Sequence, residues 1–178
     1  STNCVFSEKT QSTSEASERN PSNIYGLYKK LLEDRILTSK NNSILRLTKV
    51  LDSESGIINS WISKIEKNQK IEAFSNIKIS PITTNFVSQF LRKWCLENIF
   101  EQNVFHLSNE IEISYYDLAL EIIKKTKSEF KNIFKIEADL SKQKNFVPIK
   151  ASLECDLKYS RYQKFNVLIE ELIKGSFN

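Results

Sequence analysis

The side chain best suited to acid–base chemistry near neutral pH occurs once in the sequence, as His106 in Val104-Phe-His-Leu-Ser108. A hydrolytic triad needs that imidazole paired with a nucleophile and oriented by a carboxylate, and no spacing in the sequence supplies either partner. His106 therefore reads as a partly exposed or locally hydrogen-bonded histidine on an extended segment. Two carboxylate pairs stand out, Glu170 with Glu171 and Glu154 with Asp156. All four are expected to face solvent, where nothing drives one pKa away from the other as general acid–base work requires. Metal binding needs clustered ligands, and one histidine with three scattered cysteines, Cys4, Cys95 and Cys155, does not provide them. With no C-x-x-C pair, the thiols read as buried or idle in a reducing compartment. No catalytic residue, metal ligand or cofactor is assigned at this level.

The charge distribution is more informative. Between Lys124 and Lys164 the chain carries eleven basic residues against five acidic ones, a balance of +6, while the whole chain is only +4. Cations at Lys124, Lys125, Lys127, Lys131, Lys142, Lys144 and Arg161 are the candidates for phosphate contact with a nucleic acid, each adding affinity and salt dependence. A helix followed by a basic hairpin resembles the winged-helix pattern, with Lys142 and Lys144 at the wing tip. Against it, only one helix lies directly upstream. Arginine, the preferred base reader, occurs in the segment only as Arg161.

The elements that would position these groups follow from periodicity. Residues 1–20 are rich in Ser, Thr and Glu and read as a disordered tail or linker. Pro21 and Ser22 open a helix whose apolar stripe is Ile24, Leu27, Tyr28, Leu31 and Leu32. Short helices are expected over 43–51 and 57–68, the latter with Ile58, Trp61, Ile62 and Ile65 inward. Residues 71–79 fit either a short strand or a helix extension. The longest helix spans 83–102, and its broad stripe of Phe86, Val87, Phe90, Leu91, Trp94, Cys95 and Ile99 predicts a central element. Residues 103–113 look extended, and Ser114 with Asp117 forms a capping-box-like start to a helix over 115–130.

The period then changes. Phe134, Ile136, Ala138 and Leu140 alternate with polar residues, and so do Val147, Ile149, Ala151, Leu153, Cys155 and Leu157. Two alternating runs around the polar connector 141–145 predict an antiparallel hairpin, 133–140 with 146–159. Its outward residues Lys150, Glu154, Asp156 and Lys158 are candidate contacts for a partner pairing with an open sheet edge. Ser160 is placed as the cap of a last helix, packed on the sheet, with Gly175 at its end.

With 178 residues and three glycines, few tight turns are available and a glycine-rich phosphate loop is disfavoured. The fold class expected is α+β, helix-dominated, with about five to six helices and a small antiparallel sheet. One domain, 21–178, follows the leader, with 104–178 as a candidate C-terminal subdomain. With no catalytic motif in hand, the expected function is non-enzymatic: a protein-interaction or scaffold domain of a larger intracellular assembly. A nucleic-acid-binding domain using 124–164 is the alternative. The expected partners are proteins, with nucleic acid as the alternative, and no membrane or small-molecule cofactor. Placement is intracellular, cytoplasmic or nuclear. The absence of Met, including at position 1, suggests a processed product or a domain cut from a longer chain.

Overall fold

The computed structural model describes residues 1–7, 12–97, 104–126, 129–139, 151–156 and 160–174. After a short 3-10 turn, Asn3–Val5, the order is α1 (Ile24–Ile36), β1 (Ile44–Leu47), β2 (Lys49–Leu51), α2 (Gly56–Glu66), β3 (Ile71–Phe74), β4 (Lys78–Ile79), β5 (Pro81–Thr83), α3 (Thr84–Leu96), β6 (Val104–Asn109), β7 (Ile113–Ser114), α4 (Tyr115–Lys125), β8 (Ile133–Ile136), β9 (Arg161–Gln163) and α5 (Phe165–Ile173). Strands β1, β6 and β9 form a parallel sheet in the order β1-β6-β9. The pairs β2–β5 and β3–β8 are also parallel, and only β4–β7 is antiparallel. Parallel neighbours require crossover connections, and here helices α2, α3 and α4 supply them.

This corrects the expected fold class. The chain is an α/β protein with parallel pairing, not a helix-dominated α+β domain with an antiparallel hairpin. Residues 133–136 pair in parallel with Ile71–Phe74, some 60 positions earlier. Within this run Phe134 is exposed, while Ile136 and Ala138 are more buried than Lys135, Glu137 and Asp139. Residues 140–150 and 157–159, which include most of the second hairpin arm, lie outside the described residues. The described part, 151–156, is not a strand. Ala151 and Leu153 are still buried, but side chains satisfy this backbone. Glu112 accepts from the amides of Ala151 and Ser152, Ser108 from Leu153, and Glu15 from Asp156. Period-two burial thus arises without a ladder. The helix expected at 43–51 is β1 and β2, because a short apolar run fits either period.

Where long helical stripes meet a large core, the expectations hold. Ile58, Trp61, Ile62 and Ile65 of α2 are buried with Leu118, Ala119, Ile122 and Ile123 of α4 and Leu168, Ile169 and Leu172 of α5, around Ile71 and Ala73 of β3. Just beyond the end of α2, Asn68 has a φ of 50°, the left-handed conformation that asparagine tolerates after a helix. Ser114 caps α4, its hydroxyl accepting from the Asp117 amide at 3.0 Å and donating to the Asp117 carboxylate. The last helix begins at Phe165 rather than after Ser160, whose hydroxyl instead accepts the His106 amide at 2.8 Å.

Two helices depart from their patterns. None of α3 is fully buried: Phe90 and Trp94 lean on Phe105, but the helix is peripheral rather than central. In α1 the apolar stripe faces outward, with Ile24 67% and Leu31 54% exposed, and the buried residues are Gly26 and Glu33. The described part of the stretch read as a tail, residues 1–20, is also packed. Val5 and Phe6 form a small second core with Leu153, and Glu154 accepts from the Ser12 hydroxyl and the Thr13 amide.

Candidate functional site

The carboxyl ends of parallel strands are where open α/β sheets bind ligands, and a cavity of about 350 Å³ lies at the carboxyl end of β1. Thr48, which follows β1, and Lys49 and Val50 of β2 form one wall. Lys78, Ile79 and Ser80 form another, and Thr2, Asn3, Cys4 and Tyr25 close the cavity from the N-terminal segment and α1. Apart from Lys49 and Lys78, both exposed, the lining is uncharged.

Local structure explains why Tyr25 sits there. Asn23 caps α1, its side chain accepting the Gly26 amide at 2.7 Å, so Tyr25 falls in the first turn. Gly26 then lies directly on the 3-10 turn: a Cβ built on it would be 2.0 Å from the Cys4 carbonyl oxygen. That close approach, open only to glycine, brings the helix against the turn that carries Thr2. The Thr2 hydroxyl accepts from the Cys4 amide at 3.2 Å and reaches Asn3 Oδ1 at 3.3 Å. Lys29, four residues beyond Tyr25 and so on the same helical face, holds its ammonium 5.6 Å from the centre of the Tyr25 ring. Among the described residues, no carboxylate lies within ion-pair distance of Lys29. A half-exposed phenol and a threonine at one cavity, with an ammonium beside the phenol ring, make a proton-donating group with a cation to stabilise the charge it leaves.

Buried polar groups also join α1 to the sheet. Arg46 of β1 donates through Nε and Nη2 to Glu33 at 2.8–3.3 Å, and Arg19 adds a further ion pair at 3.0 Å. Burial pushes the Glu33 carboxyl upward, but the Arg46 bonds and charge outweigh it and hold the group below its ordinary value. Arg46 Nη1 lies 3.1 Å from His106 Nε2, which must therefore accept. The ring proton is thus assigned to Nδ1, which donates to the Glu154 carbonyl at 2.7 Å. His106 is fully buried, and that burial lowers its pKa to about 4, so it is neutral at pH 7. It is neither partly exposed nor a catalytic base open to a ligand.

The residues singled out from sequence are not brought together. Lys124 and Lys125 sit on the last turn of α4, Lys131 precedes β8, and Arg161 lies on β9 in the three-stranded sheet. Lys127, Lys142, Lys144, Lys150 and Lys158 lie outside the described residues. Glu154 turns its carboxylate onto Ser12 and Thr13, and Asp156 is exposed in a segment that is not a strand. Glu171 is occupied by Thr83, Asn85 and Gln163, while Glu170 is exposed. Cys155 is half-buried, and burial pushes its thiol up to about 12. Thr2, Tyr25 and Lys29 were missed. The readable signal was Tyr25-x-x-x-Lys29 two residues after the helix cap, and it was masked by reading the helix's apolar stripe as its inner face.

The comparisons agree with this picture. The family model described as the RmlD substrate binding domain matches residues 1–166. Three solved structures share the Rossmann-like fold. The dTDP-4-dehydrorhamnose reductase of Yersinia enterocolitica has a TM-score of 0.83 at 20% identity, over 100% of this chain and 65% of that one. The reductase of Bacillus anthracis, solved in complex with NADP, has a TM-score of 0.81 at 16% identity, over 97% of this chain and 62% of that one. The Clostridium acetobutylicum protein has a TM-score of 0.79 at 20% identity, over 97% and 63%. The chain thus spans less than two thirds of the length of these structures. No curated protein matches the sequence.

These findings overturn the expectation of a non-enzymatic scaffold or a nucleic-acid module whose partners are macromolecules and which takes no small molecule. No helix among the described residues is long and apolar enough to cross a membrane. Matched over residues 1–166, the chain belongs to the RmlD substrate binding domain family.

Proposed function

We propose that this chain supplies the substrate pocket and the proton donor for NADPH-dependent reduction of a 4-keto sugar carried on a nucleoside diphosphate. The observation that carries the reading is Tyr25 on the cavity it shares with Thr2, with the Lys29 ammonium beside its ring. Tyr25 donates its phenolic proton to the carbonyl oxygen as that oxygen becomes an alcohol. Lys29 stabilises the negative charge left on the phenol. Thr2 holds the same oxygen in line, so that the reacting groups meet in an attack geometry. Tyr25 is 51% exposed, so solvent restores its proton. Lys49 and Lys78 at the rim offer cations to a diphosphate.

The residues fit the reacting end of a nicotinamide cofactor. The Lys29 ammonium and the Tyr25 phenol can hold the hydroxyls of its ribose. A glycine-rich phosphate cradle is not among the described residues, since Gly26 and Gly56 lie in helices. When bound, the cofactor supplies the hydride that adds to the carbonyl carbon. Three free thiols fit a reducing compartment such as the cytoplasm.

The test is NADPH consumption with dTDP-4-dehydrorhamnose, followed by absorbance. Tyr25→Phe is expected to lower turnover by about 10²- to 10⁴-fold, with Lys29→Met also strongly impaired. No consumption by the native protein, or full activity in Tyr25→Phe, refutes the proposal.

A further inference from the structure

We propose that Arg46 is a positioning residue for this reaction: its buried guanidinium clamps the segment carrying Thr2 to the helix carrying Tyr25 and Lys29. The inference rests on the proton-donor reading above. Arg46 is 1% exposed and touches α1, β6 and the residue that follows the 3-10 turn, besides its own strand. It holds Glu33 of α1 through Nε and Nη2, as described, and donates to His106 of β6. Its guanidinium carbon also lies 5.1 Å over the Phe6 ring, directly after the 3-10 turn.

Helix α1 needs such a clamp. Its apolar stripe faces out, so hydrophobic burial does not set its rotation about its axis. Only Gly26 and Glu33 are buried. Tyr25, Lys29 and Glu33 are spaced i, i+4 and i+8 and share one face. A rotation that parted Glu33 from Arg46 would carry Tyr25 and Lys29 away from Thr2 by the same angle. Gly26 sets how closely the helix approaches the turn, and the ion pair sets its angle. Stability alone is a poor reason for the pair, because replacing a buried ion pair by apolar residues of similar volume is often neutral or stabilising.

That property supplies the test. Arg46→Met combined with Glu33→Leu is expected to fold with an unchanged or higher thermal midpoint and nearly native KM, while kcat falls at least about tenfold. If Arg46 acts through Tyr25, adding Tyr25→Phe costs far less in this background than in the native protein, whereas a merely structural role leaves the two effects multiplicative. Native kcat or multiplicative effects overturn the proposal. If the paired replacement does not fold, Arg46→Lys serves: it keeps the charge but loses the two-pronged contact, and native kcat in that variant overturns the clamp.

A readout without turnover separates this inference from the activity it rests on. In protein labelled with 3-fluorotyrosine, the fluorine resonance of Tyr25 is identified by its loss in Tyr25→Phe. It is expected to move toward the free amino-acid position in the paired variant. An unmoved resonance overturns the clamp, whether or not the native protein reduces the keto sugar. Absent native turnover with a moved resonance refutes only the reductase reading.

Discussion

Gly26→Ala should separate the close approach at the site from ordinary helix propensity. In a helix open to solvent, alanine is favoured over glycine by about 1 kcal/mol. Gly56, at the start of α2, is such a place, because a Cβ there meets nothing within 4 Å. Gly56→Ala is therefore expected to be neutral or to stabilise by up to about 1 kcal/mol. At Gly26 the same Cβ would lie 2.0 Å from the Cys4 oxygen and 2.9 Å from both the Cys4 carbonyl carbon and Pro21 Cβ. Ordinary contact lies at about 3.5 Å, so helix and turn must part by more than an ångström. Both carbonyl atoms belong to the backbone and cannot swing aside as a side-chain tip could.

Overpacking of this kind costs about 1–3 kcal/mol, enough to outweigh the propensity gain. Urea titrations of the two variants should therefore differ in sign, Gly26→Ala less stable than native and Gly56→Ala equal or better. The same displacement separates Tyr25 from Thr2, and a misplacement of about 1 Å costs about a hundredfold in rate. Gly26→Ala should lose turnover of that order while Gly56→Ala keeps it. Equal stability in the two variants, or native turnover in Gly26→Ala, would refute the reasoning that this approach builds the site.

Two further outcomes test the interior. His106 is held neutral with its pKa lowered from 6.5 to about 4, so between those values the unfolded chain binds the extra proton and the folded one does not. Its contribution is therefore constant above pH 6.5 and declines as pH falls toward 4. At about 1.4 kcal/mol per pH unit the loss is roughly 3 kcal/mol. Denaturant titrations at pH 7 and pH 4.5 should show that component in the native protein and not in His106→Gln. Equal pH dependence in the two refutes it. Ile122→Ala in the large core should cost about 2–5 kcal/mol, against less than about 0.5 kcal/mol for Leu96→Ser on the exposed end of α3, measured as shifts in the denaturation midpoint at constant slope.

What could be read directly from the chain were the elements whose pattern is local and whose apolar face meets a large core. The stripes of α2, α4 and α5 and the Ser114–Asp117 cap repeat over several turns, so neighbouring positions reinforce one another. Strand pairing was not legible in this way. The short runs 44–47 and 133–136 carry no mark of partners some 60 residues distant. Segment 151–156 shows that alternation records burial, not a ladder.

The site was hidden for a related reason. Apolar periodicity gives the inner face of a helix only when hydrophobic burial sets its rotation. In α1 the rotation is decided by a glycine against the Cys4 carbonyl and a carboxylate against Arg46. Sequence alone thus determined that a helix opens at Pro21 and Ser22 and breaks at 38–42, a period that puts Tyr25 and Lys29 on one face. Tertiary structure decided that this face turns inward toward Thr2, because the groups that hold it there come from distant parts of the chain. Their close contact and charge pairing outweigh the pull of the apolar stripe.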